Sequence, residues 1–419
     1  MKNAVPVPKE YIKRFEQLGF GMFVHFGLYS QLNSGEWCYN FLKQEKGMPF
    51  EEYAKLRDSF RVGSMADIVS VAKSAGCRYI CLTTRHHEGF SLYDTQGLND
   101  FDVMHSPTGR DLVREFVEEC RKNDIVPFFY HTTLDWYNPD FNENFPAYLE
   151  YLNKSVEILC TNYGEIGGLW FDGNWSKPNE DWHEEVLYGI IRKNQPEAMI
   201  INNTGLSKRG ELGAASEIDA VTYERGMPSA VDQTGRAKYV AGEMCETLTD
   251  HWGAADDINY KPVRQLIEEL CDCRKVGANF LLNVGPNADG TVPAMQRGTM
   301  ECIGRWMQVY GKAIYNGRPY LTYADKRDFL LKDATDEGTA YLFHFNPGSV
   351  GGDVNVSVGF DGDRAVAFEG VTAPVLRIKW MDADEDVPFE QTGDTVKCNL
   401  LGYKYGRSLC VRVAEIKFK

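Results

Sequence analysis

Short apolar runs recur along most of the chain and are separated by polar and turn-forming residues. A continuous apolar run of this kind is typical of a strand that is buried on both faces. Eight runs are predicted to be strands: Met22–Phe26, Tyr79–Thr84, Val126–His131, Gly168–Asp172, Ala198–Asn203, Ala220–Glu224, Ala241–Glu246 and Asn279–Val284.

Stretches with helical periodicity follow most of these strands. Helices are predicted over Met65–Ala75, Gly109–Asn123, Pro146–Tyr163, Asp181–Asn194, Lys261–Val276 and Met295–Tyr310. The periodicity is poor after the fifth and sixth strands, so that part of the ring is expected to be irregular. Repeated strand–helix alternation is typical of the α/β class and predicts a (β/α)8, TIM-like barrel. A doubly wound sheet is the alternative, but no glycine-rich phosphate loop follows any strand.

The pattern changes after residue 320. Short β-type runs now lie between Gly, Asp and Asn turns, over Thr339–Phe345, Val354–Val358, Val375–Trp380, Asp394–Asn399 and Ser408–Phe418. This pattern predicts a C-terminal antiparallel β-sandwich. We therefore expect two domains, a barrel over residues 1–320 and a sandwich over residues 321–419.

Length and charge narrow the class of protein. The 419 residues suit a large barrel with a smaller module. A formal net charge of −15 argues against nucleic acid as a partner, because that partner requires a basic face. We expect no membrane partner and a cytoplasmic location, since the chain has neither a bilayer-length apolar run nor the apolar core of a signal peptide. The eleven scattered cysteines favour reduced thiols.

Polar and aromatic residues concentrate at the predicted carboxyl ends of the strands, where the active site of this barrel class lies. The candidates are His25, Glu36, Trp37, His86, His87, Tyr130, Trp170, Asp172, Glu224 and Trp252. Such a rim suits a sugar, because hydroxyls need donors and acceptors and ring faces need aromatic surface. A zinc site is disfavoured, since no His-x-x-x-His or Cys-rich spacing is present. We predict neither a metal nor a cofactor.

Asp172 is the most unusual of these residues. It ends a buried strand between two tryptophans, and ionised carboxylates rarely lie beside apolar surface unless they are paired or used. The alternative is that Asp172 only caps the following loop. Glycoside hydrolysis requires two carboxyl groups, one ionised and one protonated. Asp172 is the predicted nucleophile. Glu224, which ends the sixth strand, is the predicted acid.

Two other glutamates compete for the acid role. Glu217 precedes the sixth strand, which places it on the opposite rim of the barrel. Glu243 lies in the middle of the seventh strand, where it could contact a substrate hydroxyl or support a neighbouring side chain. Position along the strand therefore favours Glu224 over both alternatives.

The chain resembles the α-L-fucosidases of glycoside hydrolase family 29 through nearly the whole barrel. The stretches that carry the resemblance are Gly21–Gly27, Gly35–Trp37, Arg85–Phe90, Gly167–Asp172, Asp219–Glu224, Gly242–Thr247 and Gly277–Gly290. The resemblance implies a retaining exo-α-L-fucosidase acting on fucosylated oligosaccharides or glycoconjugates. Asp172 matches the nucleophile and Glu224 the acid/base, with Glu217 in reserve. The implied fucose-binding residues are His25, Glu36, Trp37, His86, His87, Tyr130, Trp170 and Trp252.

The sequence departs from the family pattern at two places. The fifth strand ends in Asn202-Asn203-Thr204, where some members have an arginine after an Asn-Asp pair, and Arg225 is a candidate to supply that charge. The pattern Trp-Glu-Thr-Cys becomes Gly242–Cys245, which leaves the role of Glu243 open. The alternatives are a glycosidase of the same fold that acts on another α-sugar, and a fucose-binding protein without turnover.

Overall fold

The computed structural model describes residues 5–322, 327–345, 364–403 and 406–419. The chain forms two compact units. One contains the residues up to Lys261 together with Asn279–Glu301, and the other contains Pro262–Ala278 together with Cys302–Lys419. The expected domain boundary at residue 320 stays a prediction.

Eight parallel strands form a closed barrel in chain order, β1 to β8. They are β1 Phe20–Val24, β2 Tyr79–Arg85, β3 Val126–Thr132, β4 Gly168–Asp172, β5 Met199–Asn202, β6 Ala220–Glu224, β7 Ala241–Thr247 and β8 Ala278–Val284. Almost every strand residue is buried, as expected for strands that pack on both faces. The predicted TIM-like barrel is confirmed, although β1 begins and ends two residues earlier than the sequence pattern indicated.

Ten α-helices occur in the described part of the chain. They are α1 Glu10–Leu18, α2 Cys38–Lys46, α3 Phe50–Ala54, α4 Ala66–Ala75, α5 Leu112–Lys122, α6 Asp140–Glu143, α7 Phe145–Asn162, α8 Glu184–Asn194, α9 Val263–Lys275 and α10 Ala294–Asn316. All six predicted helices are present, whereas α1, α2, α3 and α6 were not predicted. Within residues 5–322, 327–345, 364–403 and 406–419, no helix has the length and apolar character needed to cross a membrane.

The barrel is irregular around β5 and β6, as predicted. Only the short 3-10 turn Leu206–Lys208 lies between these strands, and no helix forms among the described residues between β6 and β7. The pairing of β5 with β6 has a single register position, Ile201 opposite Ala220. The two strands therefore separate toward their carboxyl ends.

Aromatic and aliphatic side chains fill the interior of the barrel below its carboxyl-end rim. Phe23, Tyr130 and Trp170 belong to this buried cluster, and Tyr11 and Phe15 of α1 join it. The hydroxyl of Tyr11 donates a hydrogen bond of 2.8 Å to Asp219, which immediately precedes β6. Helix α1 thus packs against the amino-terminal end of the barrel, opposite the rim that carries the candidate site.

The C-terminal strands are antiparallel and form two sheets, ordered β13-β16-β11-β10-β9 and β12-β15-β14. Their bounds are β9 Gly317–Thr322, β10 Phe329–Asp333, β11 Thr339–His344, β12 Arg364–Phe368, β13 Val375–Trp380, β14 Phe389–Thr392, β15 Thr395–Leu400 and β16 Arg412–Phe418. Residues of both sheets share one apolar core, which confirms the antiparallel sandwich. The predicted strand Val354–Val358 lies outside the described residues, and β9, β10, β12 and β14 were not predicted.

Candidate active site

A pocket of about 600 Å³ opens at the carboxyl ends of the barrel strands, and we call it the rim pocket. The structure brings together in its wall all ten residues predicted for the site: His25, Glu36, Trp37, His86, His87, Tyr130, Trp170, Asp172, Glu224 and Trp252. Phe23 and Trp170 are almost fully buried and lie in its lining, so apolar aromatic surface meets polar side chains within one cavity. This combination suits a ligand with hydroxyls on an apolar ring.

The Asp172 carboxylate is held by side chains of the pocket. Oδ2 accepts a hydrogen bond of 3.0 Å from the Tyr130 hydroxyl. Oδ1 accepts a bond of 2.8 Å from the indole Nε1 of Trp175. A capping aspartate would instead bind backbone amides of the following loop. The donors around Asp172 therefore favour a carboxylate oriented for chemistry.

The backbone around Asp172 is equally constrained. Its carbonyl oxygen accepts a bond of 2.7 Å from the backbone amide of Thr133 on the loop after β3. Gly173 follows with φ of 121°, a conformation that favours glycine, and a Cβ there would lie 2.5 Å from the backbone nitrogen of Leu134. Only glycine fits this close approach. The strand end that carries Asp172 is thus fixed against the neighbouring loop.

One side-chain amide joins the two predicted catalytic carboxylates. Nδ2 of Asn203 donates to Oδ1 of Asp172 at 3.2 Å and to Oε2 of Glu224 at 2.8 Å. Its Oδ1 accepts from the Thr222 hydroxyl at 3.0 Å and from the backbone amide of Gly205 at 3.2 Å. Both donors and the acceptor of Asn203 are therefore engaged, which fixes the orientation of the amide.

The shared nitrogen also limits the distance between the two carboxylates. Because Oδ1 of Asp172 and Oε2 of Glu224 lie 3.2 Å and 2.8 Å from the same atom, they can be no more than about 6 Å apart. With the two amide hydrogens at their normal angle, these two oxygens are about 5 Å apart. Retaining glycosidases have carboxyl groups about 5–5.5 Å apart, whereas inverting enzymes need about 6.5–9.5 Å.

The environment of Glu224 favours its protonated form near neutral pH. Burial, followed by the negative charge of Asp172, raises the pKa of Glu224 to about 7. The hydrogen bond from Asn203 and the charges of Arg209 and Arg225 act in the opposite direction. A glutamic acid with this pKa can donate a proton at neutral pH and accept one later.

The pocket histidines are neutral hydrogen-bonding groups. Burial lowers the pKa of His25 and of His87 well below the usual value. Nδ1 of His25 lies 2.7 Å from the acceptor Oδ1 of Asn283. Nδ1 of His87 lies 2.8 Å from the hydroxyl of Thr132, which itself donates to the carbonyl of Leu134. Both Nδ1 atoms therefore carry the proton, and each Nε2 is an acceptor for a ligand hydroxyl.

The remaining predicted residues build the walls of the pocket. Oε2 of Glu36 accepts hydrogen bonds from the backbone amides of Trp252 at 3.0 Å and Gly253 at 2.8 Å, so it holds the loop that carries Trp252. Trp37 stacks near Trp175, with ring centroids 6.1 Å apart. Burial lowers the pKa of His86 to about 3, so its imidazole is neutral as well.

The structure distinguishes the other candidate glutamates. Oε1 of Glu243 accepts from Nε1 of Trp170 at 2.9 Å, and Oε2 accepts from the Tyr79 hydroxyl at 2.6 Å. Glu243 therefore supports the floor of the pocket from below. Glu217 forms an ion pair of 2.9 Å with Arg192 and is absent from the lining of the rim pocket. Its position agrees with the opposite-rim assignment made from the sequence.

Several contributors to the pocket were not predicted as site residues. Asn203 and Trp175 contact Asp172 directly, and Arg225, the candidate replacement charge, lines the pocket close to Glu224. Their place at strand ends, or just beyond, is the signal that could have identified them. Among the described residues, the group that could hold a metal ion is the exposed set Asp181, His183 and Glu185, and the pocket histidines form no such group.

A closed (β/α)8 barrel with two amide-bridged carboxyl groups in a pocket at its carboxyl-end rim has the architecture of a glycoside hydrolase. The alpha-L-fucosidase family model matches residues 4–312. The chain therefore belongs to the alpha-L-fucosidase family. It is 25% identical over 354 residues to the tissue alpha-L-fucosidase of Mus musculus. This alignment covers 78% of this chain and 76% of that relative.

Solved structures give the same result. The chain is similar to alpha-L-fucosidase isoenzyme 1 from Paenibacillus thiaminolyticus, with a TM-score of 0.81, 27% identity and coverage of 98% of this chain and 99% of the other. A covalent intermediate of a GH29 fucosidase from Bacteroides thetaiotaomicron, formed with 2-fluoro-fucosyl fluoride, has a TM-score of 0.80, 22% identity and coverage of 100% and 98%. The predicted family, fold and enzyme class, a glycoside hydrolase with alpha-L-fucosidase function, are confirmed.

Proposed function

We propose that the chain is a retaining exo-α-L-fucosidase that removes terminal α-linked L-fucose from oligosaccharides or glycoconjugates by double displacement. The observation that carries this proposal is the bridge of Asn203 between Asp172 and Glu224. It holds two carboxyl groups at a separation suited to direct attack on the sugar, without room for a water between carboxylate and anomeric carbon.

In the first step, a carboxylate oxygen of Asp172 attacks the anomeric carbon of fucose. The bond from that carbon to the glycosidic oxygen breaks, and Glu224 gives its proton to the departing oxygen. The products are a free alcohol, an ionised Glu224 and a fucosyl ester on Asp172. The proposed role of Glu224 requires a protonated group near neutral pH, and its pKa of about 7 supports that role.

In the second step, Glu224 removes a proton from water while the water oxygen attacks the anomeric carbon. The ester bond to Asp172 breaks, fucose leaves with retained configuration, and Glu224 is protonated again. The change of role has an electrostatic cause. Esterification removes the negative charge of Asp172, one of the two causes that raise the pKa of Glu224, so Glu224 becomes more acidic when it must act as a base.

The proposed recognition of fucose uses both sides of the pocket. His25 and His87 offer Nε2 acceptors to ring hydroxyls, because their Nδ1 atoms carry the protons. Trp252 packs near His25, with ring centroids 5.0 Å apart, and offers apolar surface to the fucose methyl group. An apolar wall discriminates by only about 1–3 kcal/mol, so hydrogen bonds to the ring hydroxyls must supply most of the specificity.

The exo mode is supported by the closed lower end of the pocket. Phe23 and Trp170 are buried at 1% and 2% exposure, and Trp170 is tied to Glu243 beneath it. A saccharide chain cannot continue past this aromatic floor, so only a terminal sugar fits. The covalent intermediate of the Bacteroides fucosidase also supports double displacement on this fold.

Asp172→Ala tests the proposal. The variant is expected to lose turnover of an aryl α-L-fucoside, and added azide is expected to restore it by forming fucosyl azide of inverted configuration. Wild-type rates on the matching aryl α-galactoside provide the specificity control. Unchanged hydrolysis in Asp172→Ala would exclude Asp172 as the nucleophile, and faster hydrolysis of the galactoside would exclude fucose as the preferred sugar.

A further inference from the structure

A second cavity, of about 1020 Å³, lies beside the rim pocket, and we call it the side groove. Its lining includes Tyr188 and Gly189 of α8, Asn202 at the end of β5, and residues 204 and 213–217 of the following segment. A regular barrel places a helix after each strand, but only a short 3-10 turn follows β5. The side groove is the space that the missing helix leaves beside the outer face of this strand.

The side groove and the rim pocket share part of their walls. Trp175, Asn203, Thr204 and Ser207 line both cavities. Asn203 is the residue that binds the proposed acid Glu224, so the side groove begins next to the group that protonates the leaving oxygen. A saccharide that extends from the departing oxygen over this shared wall would reach the side groove.

Asn202 belongs to the wall of this groove. It is 7% exposed and donates through Nδ2 to Oε1 of Glu184 at 3.0 Å and to the Tyr188 hydroxyl at 2.8 Å. No donor in the described part of the chain reaches its Oδ1, and this atom has almost no accessible surface. Because both donor contacts fix the amide, Asn202 holds Glu184 in place and does not itself offer an acceptor to a ligand.

Glu184 supplies a fixed acceptor in the groove. Its Oε1 accepts hydrogen bonds from Asn174 at 2.9 Å, Asn202 at 3.0 Å and Tyr188 at 3.1 Å. These three bonds hold the carboxylate and leave Oε2 available to the groove. A rigid acceptor next to the exposed indole of Trp175 suits a saccharide, which donates hydroxyl hydrogens and stacks apolar ring faces on aromatic groups.

We propose that the side groove binds the saccharide on the leaving-group side of the scissile bond, so that the aglycone of the fucosylated oligosaccharide contacts Glu184 and Trp175. This inference rests on the proposed function, because it takes Glu224 as the acid that faces the leaving group. The enzyme then prefers fucose on a saccharide chain to fucose on a small aglycone of equal intrinsic reactivity.

Two variants alter the side groove without touching the rim pocket. Glu184→Gln keeps Oε1 for its three donors and replaces Oε2 by an amide nitrogen, so the acceptor offered to the ligand becomes a donor. Gly189→Leu on α8 fills the groove, because a Cβ at Gly189 meets open space. Gly298→Leu on α10 is the matched control, since this glycine also has open space at its Cβ and lies outside the groove.

The readout is kcat/KM on an aryl α-L-fucoside and on two trisaccharides, 2′-fucosyllactose and 3-fucosyllactose. For Glu184→Gln and Gly189→Leu, we expect a loss of about tenfold on the better trisaccharide, mainly through KM, and a change of less than about twofold on the aryl fucoside. Gly298→Leu is expected to match the wild type on every substrate.

Equal losses on the aryl fucoside and the trisaccharide would overturn the proposal, because they would indicate a purely structural role. Unchanged rates on both trisaccharides would also overturn it and would mean that the groove holds only water. In either case, continued hydrolysis of the aryl fucoside leaves the proposed function intact. A wild-type enzyme that releases no fucose from any of the three substrates would refute the proposed function itself.

Discussion

Asn203 provides the sharpest test of the paired-carboxylate site. Its amide nitrogen contacts Asp172 and Glu224, and its carbonyl oxygen is held by Thr222 and Gly205. Asn203→Ala removes both bonds to the carboxylates and leaves a small space between them. We expect lower kcat/KM and a shifted pH profile, because the amide both sets the separation of the carboxylates and stabilises the charge on each.

The size of the effect follows from the bonds that are lost. A hydrogen bond to a charged group contributes about 1.5–3 kcal/mol, which corresponds to roughly ten- to hundredfold in rate. Both bonds also exist in the free enzyme, and only the part that strengthens in the transition state affects the rate. We therefore expect kcat/KM of Asn203→Ala to fall by about tenfold to hundredfold although two bonds are lost. Asn203→Asp should lose more, since it adds a third negative charge beside Asp172 and Glu224.

The pH profile separates this role from simple packing. Glu224 must be protonated for the first step, so wild-type kcat/KM should fall as pH rises through about 7. The bond from Asn203 lowers the pKa of Glu224, and its removal should therefore move the basic limb of the profile to higher pH. Rates on an aryl fucoside measured across the pH range report this limb directly.

Asn194→Ala is the matched control for Asn203→Ala. The amide of Asn194 donates only to the carbonyl of Ile190 within α8, at 2.9 Å, and does not line the rim pocket. Its kcat/KM and its pH profile should equal those of the wild type. An Asn203→Ala enzyme with wild-type kcat/KM would refute the bridging role. A reduced kcat/KM with an unmoved basic limb would refute the electrostatic part of the reasoning.

Two further predictions address the glutamates. Glu224→Ala should retain more activity on an aryl fucoside with a good leaving group than on a trisaccharide. Added azide should give fucosyl azide of retained configuration, opposite to that expected from Asp172→Ala. Fucosyl azide of inverted configuration would contradict the assignment of Glu224 as the acid. Burial raises the pKa of Glu243 to about 7 in the folded state, so its contribution to stability is complete below about pH 4.5 and is lost as pH rises through 7. Between pH 5 and about pH 8, the free energy of unfolding of Glu243→Gln should therefore fall less than that of the wild type, by at most about 3 kcal/mol. Chemical unfolding at each pH measures this difference. Identical pH dependence in both proteins would contradict the prediction.

The barrel could be predicted because its strands are unusual in composition. A strand covered on both faces is apolar throughout, and β2 and β8 are buried at every position. Amphipathic helices such as α5, whose buried residues recur at helical spacing, then define the alternation. Several strand ends follow from the same pattern, since the apolar runs of β4 and β6 stop at Asp172 and Glu224, and this places both carboxyl groups on one rim.

The sandwich was harder to predict, because its strands are short and partly exposed. β14 covers only Phe389–Thr392 and alternates between half-buried and exposed positions, so it has no clear apolar run. β9 begins at Gly317, immediately after α10, and its Gly-Arg-Pro start resembles a turn. Helix α1 was missed for a different reason, since it precedes β1 and so lies outside the strand–helix alternation from which the other helices were predicted.

Contacts between distant residues explain what the sequence left open in the site. The sequence placed Glu243 in the middle of β7, but only the packed barrel brings its carboxylate to Trp170 and Tyr79. Likewise, the amide of Asn203 joins carboxyl groups that lie 31 and 21 residues away along the chain. Strand-end position identifies which residues share a rim, whereas hydrogen-bond partners depend on side-chain orientations that a one-dimensional pattern does not encode.

The irregularity of the barrel at β5 and β6 accounts for both the carboxylate bridge and the side groove. At Thr222, the backbone carbonyl accepts from the amide of Gly210 in the connecting segment and not from β5. A side-chain contact joins the two strands here instead of a backbone bond, because Oδ1 of Asn203, next to β5, accepts from the Thr222 hydroxyl of β6. That contact points Nδ2 of Asn203 toward Glu224. The same departure from regular pairing leaves only the 3-10 turn Leu206–Lys208 between β5 and β6, so the reaction centre and the groove beside it have one structural origin.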